Sequence, residues 1–255
     1  MRLTKHGHSC ITVHTEAAGQ PRVLAIDPGI LSDAAAALAG ADAVLVTHGH
    51  PDHVDDDVLF AFLLGNPGVP AYGPADVVAR WREREEAAAL ADRLHVVAPD
   101  EAFDVLGVPV RSVGGQHALI HPLLRTIDNV GYILDGSVYH PGDALIVPAG
   151  PADLEVVLVP AWAPWSKTSE VVDFIAAVRA KRAYGIHDAP LTGAGLGIIQ
   201  GQLAGLGGRP GSASVGWAWG VSTHVSPRAG PLARPPAPRG GGARRVPSRP
   251  RAVVR

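Results

Sequence analysis

The sequence predicts an α/β protein, in which strands and helices alternate along the chain. Eight short runs rich in valine and isoleucine, each bounded by Gly, Pro or Asp, are typical of strands. Several of these runs are apolar throughout, which is typical of strands covered on both faces. Longer runs between them carry apolar residues at helical spacing. The strands are too numerous for a simple repeat of strand–helix–strand units.

Each predicted element follows from its local composition. The predicted strands cover residues 10–13, 22–26, 43–47, 108–113, 130–134, 138–140, 155–160 and 183–187. A helix is expected over 74–93, because Pro74 stands near its start and good helix formers follow. A second helix is expected over 167–182, where Thr168 or Ser169 can cap the first turn. Residues 54–64 predict a third helix.

Composition limits the class of protein. With 255 residues, of which 47% are hydrophobic, the chain can bury a sizeable core. Its one cysteine, Cys10, leads into an apolar strand and is expected to pack there, so no disulfide forms within the chain. The N-terminus lacks the apolar region of a signal peptide, and no apolar run approaches about 18 residues. We therefore expect a soluble cytoplasmic protein.

The charges divide the chain into two differently composed segments. Residues 1–188 contain all 24 acidic residues and 13 basic ones, whereas the remainder contains nine arginines and no acid. Residues 209–255 are rich in Pro, Gly and Arg and lack periodicity, which predicts a disordered tail. The same composition is also typical of a shifted reading frame in a GC-rich gene. We therefore expect one domain over 1–208, followed by a tail of either origin.

One motif concentrates side chains that bind metal ions. The stretch "VTHGHPDHVDD" places His48, His50, Asp52 and His53 within six positions, directly after the strand 43–47. The carboxyl end of a strand is where α/β proteins place their sites. Imidazole and carboxylate together suit a divalent ion such as zinc. Alternation puts the first two histidines on one side and the other pair opposite. A helix cap at Asp52 with surface histidines is the plainer alternative.

The motif "THGHPDH" resembles the signature of the metallo-β-lactamase fold. Further motifs resemble one branch of that fold, the small bacterial metal-dependent hydrolases related to L-ascorbate-6-phosphate lactonase. These motifs are "GHSC" at 7–10, "IDPG" at 26–29, "GGQHALIH" at 114–121, "NVGYIL" at 129–134, "YHPGD" at 139–143, "PAWAPW" at 160–165 and "GIHDA" at 185–189. The resemblance covers residues 1–208. It implies a four-layer αββα sandwich, with two sheets flanked by helices.

The resemblance also implies a site with two divalent metal ions, zinc in the first place and manganese as the alternative. His48, His50 and His117 would hold the first ion. Asp52, His53 and His187 would hold the second, and Asp143 would bridge the two. His121 is an alternative to His117, while Asp143 and His187 could also be a turn residue and a strand terminus. The residues expected around the ligands, or in the substrate pocket, are Asp27, His8, His121, His140 and Trp165.

A metal pair of this kind implies hydrolysis. A divalent ion lowers the pKa of bound water from about 15.7 to about 7, and two ions about 3.5–4 Å apart can share the hydroxide. Asp52 would orient that hydroxide toward a small ester, lactone or phosphoester. The alternatives are a phosphodiesterase or nuclease-like enzyme and a metal-binding regulatory protein without turnover.

The sequence also bears on these alternatives and on the expected binding partners. The 63 residues between His53 and His117 are few for the extra domain of nucleic-acid enzymes, so nucleic acid is not the expected partner. The complete ligand set argues against a protein that has lost turnover. We expect a small-molecule substrate and no membrane, and the oligomeric state stays open.

Overall fold

The computed structural model describes residues 1–150, 153–207, 213–215 and 222–225. These residues form two sheets and five α-helices. The strands are β1 (Arg2–Lys5), β2 (Ile11–Ala17), β3 (Gln20–Ile26), β4 (Ala43–Leu45), β5 (Ala71–Gly73), β6 (Leu94–Val96), β7 (Ala102–Val105), β8 (Val108–Val113), β9 (Gly131–Leu134), β10 (Val138–His140), β11 (Val156–Pro160), β12 (Arg182–Ile186), β13 (Ala213–Val215) and β14 (Ser222–His224). The helices are α1 (Ala34–Leu38), α2 (Asp56–Gly65), α3 (Ala75–Arg82), α4 (Thr168–Val178) and α5 (Gly193–Gly207), with a 3₁₀ helix over Glu85–Arg93.

The two seven-stranded sheets follow the same plan. The first runs in the order β14-β1-β2-β3-β4-β5-β6, and the second in the order β13-β12-β11-β10-β9-β8-β7. In the first sheet, β1 to β3 are antiparallel, and β3 to β6 are parallel. In the second sheet, β7 to β10 are antiparallel and β10 to β13 are parallel. Seven strands therefore end at the same edge of the two sheets, where the loops of the candidate site lie. These strands are β1, β3, β4, β8, β10, β11 and β12.

Three apolar clusters separate four layers. On β4, Leu45 packs between the sheets, while its neighbour Val44 packs with α2 and α3 on the outer face. On β11, Leu158 likewise faces the first sheet and Val157 faces α4. Alternation of apolar side chains on both faces buries each strand twice, which is why these runs are apolar throughout. The αββα sandwich predicted from the sequence is confirmed.

All eight predicted strands are present, and the helix predictions need correction. Residues 74–93 form α3 and then a separate 3₁₀ helix rather than one continuous helix. The helix α4 ends at Val178, where Arg179 adopts a left-handed conformation with φ of 57°. Lys167 occupies the N-cap position without a side-chain cap bond, so neither Thr168 nor Ser169 caps this helix. The helix expected after the histidine motif is α2, capped by Asp55.

Two short pieces of the predicted tail belong to the sheets. β13 pairs with β12, and β14 pairs with β1, while Val225 is buried between the sheets. The rest of 209–255 lies outside the described residues, and there the predicted tail stays a prediction. Within the described part of the chain, no helix is both long and apolar enough to cross a membrane.

A buried ion pair links the two sheets next to the candidate site. The ammonium of Lys5, on β1, lies 2.6 Å from a carboxylate oxygen of Asp188, which follows β12. The same ammonium donates a hydrogen bond of 3.0 Å to the carbonyl of Gly185. Both side chains are buried. A buried charge is tolerated only when it is paired, so this contact fixes the end of β12 against β1.

We expect Lys5→Met to destabilise the protein by about 3–5 kcal/mol, because the Asp188 carboxylate would be left buried without its cation. The double variant Lys5→Met with Asp188→Asn should recover much of that loss. Urea unfolding of both variants measures the difference. Lys181→Met, which removes an exposed partner of Glu155, is the control and should change stability little. Equal losses in the single and the double variant would contradict the prediction.

Candidate metal centre

The candidate ligands follow strands that end at the same edge of the two sheets. In the first sheet, His8 follows β1, Asp27 follows β3, and the histidine motif follows β4. In the second sheet, His117 follows β8, Asp143 follows β10, and His187 follows β12. Because the sheets face each other, these loops meet across the top of the shared core. The topology therefore gathers residues that lie as far as 179 positions apart in the sequence.

The loops bring together two groups of potential metal donors. His48, His50, His117 and Asp143 form one group, and His8, Asp52, His53 and His187 form the other. Within each group, one donor atom from every residue lies within 4.8 Å of the others. All seven ligands implied by the sequence resemblance are in these groups. His8, expected at the periphery, is the additional member.

Asp143 contacts both groups. One oxygen, Oδ1, lies 3.1 Å from Nε2 of His53. The other oxygen, Oδ2, lies 3.0 Å from Nε2 of His187 and 3.5 Å from Nε2 of His117. The side chain is almost entirely buried. The Asp143 carboxylate thus lies between the two donor groups.

Four of the histidine rings are oriented by hydrogen bonds from Nδ1. His117 donates to the carbonyl of Ala118 at 2.6 Å, and His187 donates to the carbonyl of Trp162 at 2.7 Å. His53 and Asp27 Oδ2 are 2.7 Å apart, and His48 lies 3.0 Å from the Thr47 hydroxyl. Such bonds fix the tautomer and turn Nε2 toward the centre, as in metal sites generally.

The unsatisfied atoms also fit a metal ion. Nε2 of His53, Nε2 of His117 and Oδ1 of Asp143 are buried, yet none makes a hydrogen bond of acceptable geometry. Buried polar atoms without a partner are uncommon and call for an explanation such as an ion. Five histidines and two aspartates suit zinc and also accept manganese or iron. The residues present therefore fit a pair of divalent ions.

Without metal, the carboxylates and imidazoles stabilise each other's charge. Burial alone would raise the pKa of Asp52 and Asp143, but the surrounding histidines hold both below their usual range. Burial would likewise lower the pKa of His187, but Asp143 and Asp52 raise it to about 9. The pKa of His53 is raised for the same reason, chiefly by Asp143 and Asp27. The paired charges therefore offset the cost of burial in the metal-free centre.

Asp27 forms hydrogen bonds that hold residues next to the candidate ligands. Its carboxylate accepts hydrogen bonds from the Thr47 amide at 2.8 Å and the Thr47 hydroxyl at 2.7 Å, besides contacting His53. Asp27 itself has a φ of 52°, an unusual conformation for a residue other than glycine. Gly29 lets this turn approach the motif, because a Cβ there would lie 2.0 Å from the Asp52 carbonyl oxygen. Asp27 therefore lies directly beside the candidate ligand His53.

His8 is placed as a hydrogen-bond donor to Asp52. Its Nδ1 accepts a hydrogen bond of 3.3 Å from the amide of Ala189, so the ring proton sits on Nε2. That nitrogen lies 3.1 Å from Oδ2 of Asp52. The carbonyl of His8 also accepts a bond of 3.2 Å from the amide of His187. His8 therefore orients a ligand carboxylate and is not itself free to bind metal in this tautomer.

The other peripheral predictions have different outcomes. The indole of Trp165 donates to Oδ2 of Asp143 at 3.1 Å. His140 is fully buried behind the centre, with Nε2 donating to the Ser9 carbonyl at 2.9 Å, so it does not line an open pocket. His121 is exposed, lies outside both donor groups, and accepts the amide of Leu123 at 3.2 Å. Of the two alternatives in "GGQHALIH", the structure brings His117 to the centre.

Sequence reasoning missed several residues that position the ligands. Asn129 accepts the amide of Asp143 at 2.9 Å and donates to the carbonyl of Pro141 at 3.0 Å. Arg80, on α3, donates to the carbonyl of Gly49 at 2.7 Å. Their partners are backbone groups distant in sequence, and nothing in the local pattern indicates such contacts. A polar residue directly before an apolar strand, as Asn129 is, was the one available signal.

Comparisons with known proteins agree with this architecture. A family model described as the β-lactamase superfamily domain matches residues 2–187. Protein Rv0786c from Mycobacterium tuberculosis is 38% identical over 208 residues, which cover 80% of this chain and 91% of that protein. A UPF0173 metal-dependent hydrolase from Dinoroseobacter shibae is 40% identical over 92 residues, covering 33% of this chain and 37% of that one.

Solved structures share the fold at low sequence identity. Igni18, a metallo hydrolase from the archaeon Ignicoccus hospitalis, superposes with a TM-score of 0.61 and 17% identity, covering 87% of this chain and 97% of that one. YhfI from Bacillus subtilis, a metallo-β-lactamase fold protein, has a TM-score of 0.61 and 16% identity, with coverage of 87% and 98%. With the family match over residues 2–187, these findings define the class. The chain belongs to the metallo-β-lactamase superfamily.

We expect Asp27→Asn to lower metal affinity by about 10–100-fold, because the partner that orients the His53 ring loses its charge. Competition with a chelator measures the affinity of the purified variant. His14→Gln is the control, since that histidine lies outside both donor groups. An unchanged affinity in Asp27→Asn, with the fold intact by circular dichroism, would contradict the prediction.

The stability of the metal-free protein should fall as the pH rises from 6.5 to 9. The pKa of His187 is raised to about 9 in the folded protein, against about 6.5 when unfolded, so its stabilisation is complete below pH 6.5 and lost through pH 9. The loss from His187 alone should be about 3 kcal/mol. Urea unfolding across this range measures it. The metal-free His187→Gln variant should show a shallower slope, and an equal slope would contradict the assignment.

Proposed function

We propose that this protein is a dinuclear metal-dependent hydrolase that cleaves a small ester, lactone or phosphoester. The observation that supports this most strongly is the position of Asp143, whose two oxygens contact histidines of both donor groups. A carboxylate between two groups of donors is suited to contact two ions that lie side by side. The UPF0173 relatives are named metal-dependent hydrolases, which favours the same class.

The proposed ligands divide between the two ions. His48, His50 and His117 would hold the first, Asp52, His53 and His187 the second, and Asp143 both. Zinc is the proposed metal, with manganese as the alternative, because imidazole and carboxylate accept either. When bound, such ions supply a nucleophilic water near neutral pH and polarise the bond to be broken.

The protein's own side chains would orient the candidate ligands and leave one side of the centre open to a substrate. Asp52 and His50 are partly exposed, whereas His48, His53 and Asp143 are buried, so a substrate would approach from the side of Asp52 and His50. The Nε2 proton of His8 holds Oδ2 of Asp52, which leaves Oδ1 free to contact a bound ion or a water molecule. Trp165 holds Oδ2 of Asp143 in the same way. A carboxylate held in one orientation loses little entropy when the substrate binds.

The resemblance to the branch of L-ascorbate-6-phosphate lactonase favours a lactone or a phosphorylated ester. We propose these as the first substrates to examine. Fold alone does not define a substrate, because this architecture supports many reactions on a shared centre.

The metal content of the purified protein tests the proposal. We expect about two zinc or manganese ions per chain, and at most a small remainder in His50→Ala with Asp143→Ala. Elemental analysis measures both. His121→Ala is the matched control, because it removes a neighbouring histidine outside the centre and should retain the metal.

Activity provides the second measurement. Metal-loaded wild type should hydrolyse members of a panel of sugar lactones, p-nitrophenyl esters and phosphodiesters, and removal of metal with a chelator should abolish the activity reversibly. A folded wild type that binds no metal, even after reconstitution, would overturn the hydrolase mechanism. Two bound ions without turnover of any member would favour a metal-binding protein instead.

A further inference from the structure

An apolar loop, residues 118–126, borders the candidate metal centre. The amide of His117 donates to the carbonyl of Ile127 at 3.0 Å, and the amide of Ala118 donates to the carbonyl of Asp143 at 2.8 Å. These bonds close the segment 118–126 at its base, so both of its ends are anchored on candidate ligands. Within the segment, a turn joins the amide of Leu124 to the carbonyl of His121 at 2.9 Å. The loop is therefore positioned by the centre that it borders.

Four of the nine residues of this loop are large, apolar and exposed. Leu123 and Leu124 are 88% and 55% exposed, and Leu119 and Ile120 are also exposed. Contiguous apolar residues on a surface usually mark a place where something binds. Two of the four, Ile120 and Leu124, line a cleft together with His50 and His117. The apolar surface thus continues into the open side of the candidate centre.

Arg125 is the charged residue in this apolar wall. Its side chain lines the same cleft, beside Leu124 and Ile127. The part of the chain that the structure describes provides it with no hydrogen bond or ion pair, whereas Arg80, Arg84 and Arg93 all have such partners. A guanidinium offers a planar set of donors that matches a carboxylate or a phosphate. Arg125 is exposed, so its guanidinium is free to pair with an anion that enters the cleft.

We propose that Arg125 binds an anionic group of the substrate while Ile120 and Leu124 cover an adjoining apolar part. The substrate class is then a small amphiphilic anion, a carboxylate or phosphate separated from the scissile bond by a short apolar segment. The cleft is open to solvent on one side, so the ligand would lie in a shallow groove and would be a small molecule. This inference rests on the proposed hydrolase site for its meaning, but the binding can be measured separately.

Calorimetric titration with hexanoate and with its neutral analogue hexanamide tests the charge. We expect Arg125→Gln to weaken hexanoate binding by about 10–100-fold and to leave hexanamide unchanged, because one charge-assisted pair is lost. Arg125→Lys should recover part of the loss, since it restores the charge without the planar fork. Arg179→Gln is the matched control, an exposed arginine at the end of α4, on the far side from the centre.

A second variant tests the apolar wall. Leu124→Ser should weaken hexanoate and hexanamide by similar factors and should have little effect on acetate, which is too short to reach the wall. Equal affinity of wild type for hexanoate and hexanamide would overturn the proposal, as would no measurable binding of either. An apolar loop covered by a second copy of the chain would also overturn it. In that case hexanoate binding would weaken as the protein concentration rises.

Titrations before and after metal removal separate this proposal from the hydrolase proposal. If metal removal weakens hexanoate and Arg125→Gln does not, the anion binds the ions and the role of Arg125 is wrong. If Arg125→Gln weakens hexanoate but no ester or lactone is hydrolysed, the anion site stands and the hydrolase proposal fails. With turnover, p-nitrophenyl hydrogen glutarate should show a KM about 10-fold higher in Arg125→Gln, and p-nitrophenyl butyrate should not.

Discussion

The Asp143 carboxylate is the contact on which the candidate centre depends. Histidines from both sheets converge on it, and a group of buried imidazoles without a carboxylate would have no counter-charge. Burial penalises every charged form in such a place, so the charges persist only because they are paired. The same carboxylates raise the pKa of His53 and of His187 in the metal-free protein. Binding a metal would then exchange protons for ions within an arrangement that already exists.

The two sheets can support this centre because each presents the carboxyl ends of its parallel strands at the same edge. Leu45 and Leu158 hold the sheets together beneath the site, and the buried pair of Lys5 and Asp188 joins them beside it. The loops above this core therefore start from well-packed strands. Such support limits how far each candidate ligand can move from a productive geometry. The middle residues of the loop 118–126 are exposed and carry the apolar wall and Arg125.

Much of the fold could be predicted because the buried strands carry their pattern locally. A run such as 155–160 is apolar on both faces and reveals itself without knowledge of its neighbours. β1, β5, β6 and β7 were missed because they have only three or four residues and mixed polarity, so their pairing depends on partners elsewhere. The end of α3 at Arg82 was also missed, because it too depends on residues elsewhere in the chain. Strong helix formers fill residues 83–93, and packing against α2 decides their 3₁₀ conformation.

The sequence by itself determined the chemistry of the centre, since metal ligands are specified by side-chain type and the motif after β4 concentrates four of them. It also singled out His117, Asp143 and His187, through motifs at strand ends. Only the tertiary structure decided which potential donors lie together and which side chains support them. His8 became a donor to Asp52 because the amide of Ala189 occupies its other nitrogen, and His121 became a turn residue. Such roles depend on distances between loops of different strands, which spacing along a chain does not encode.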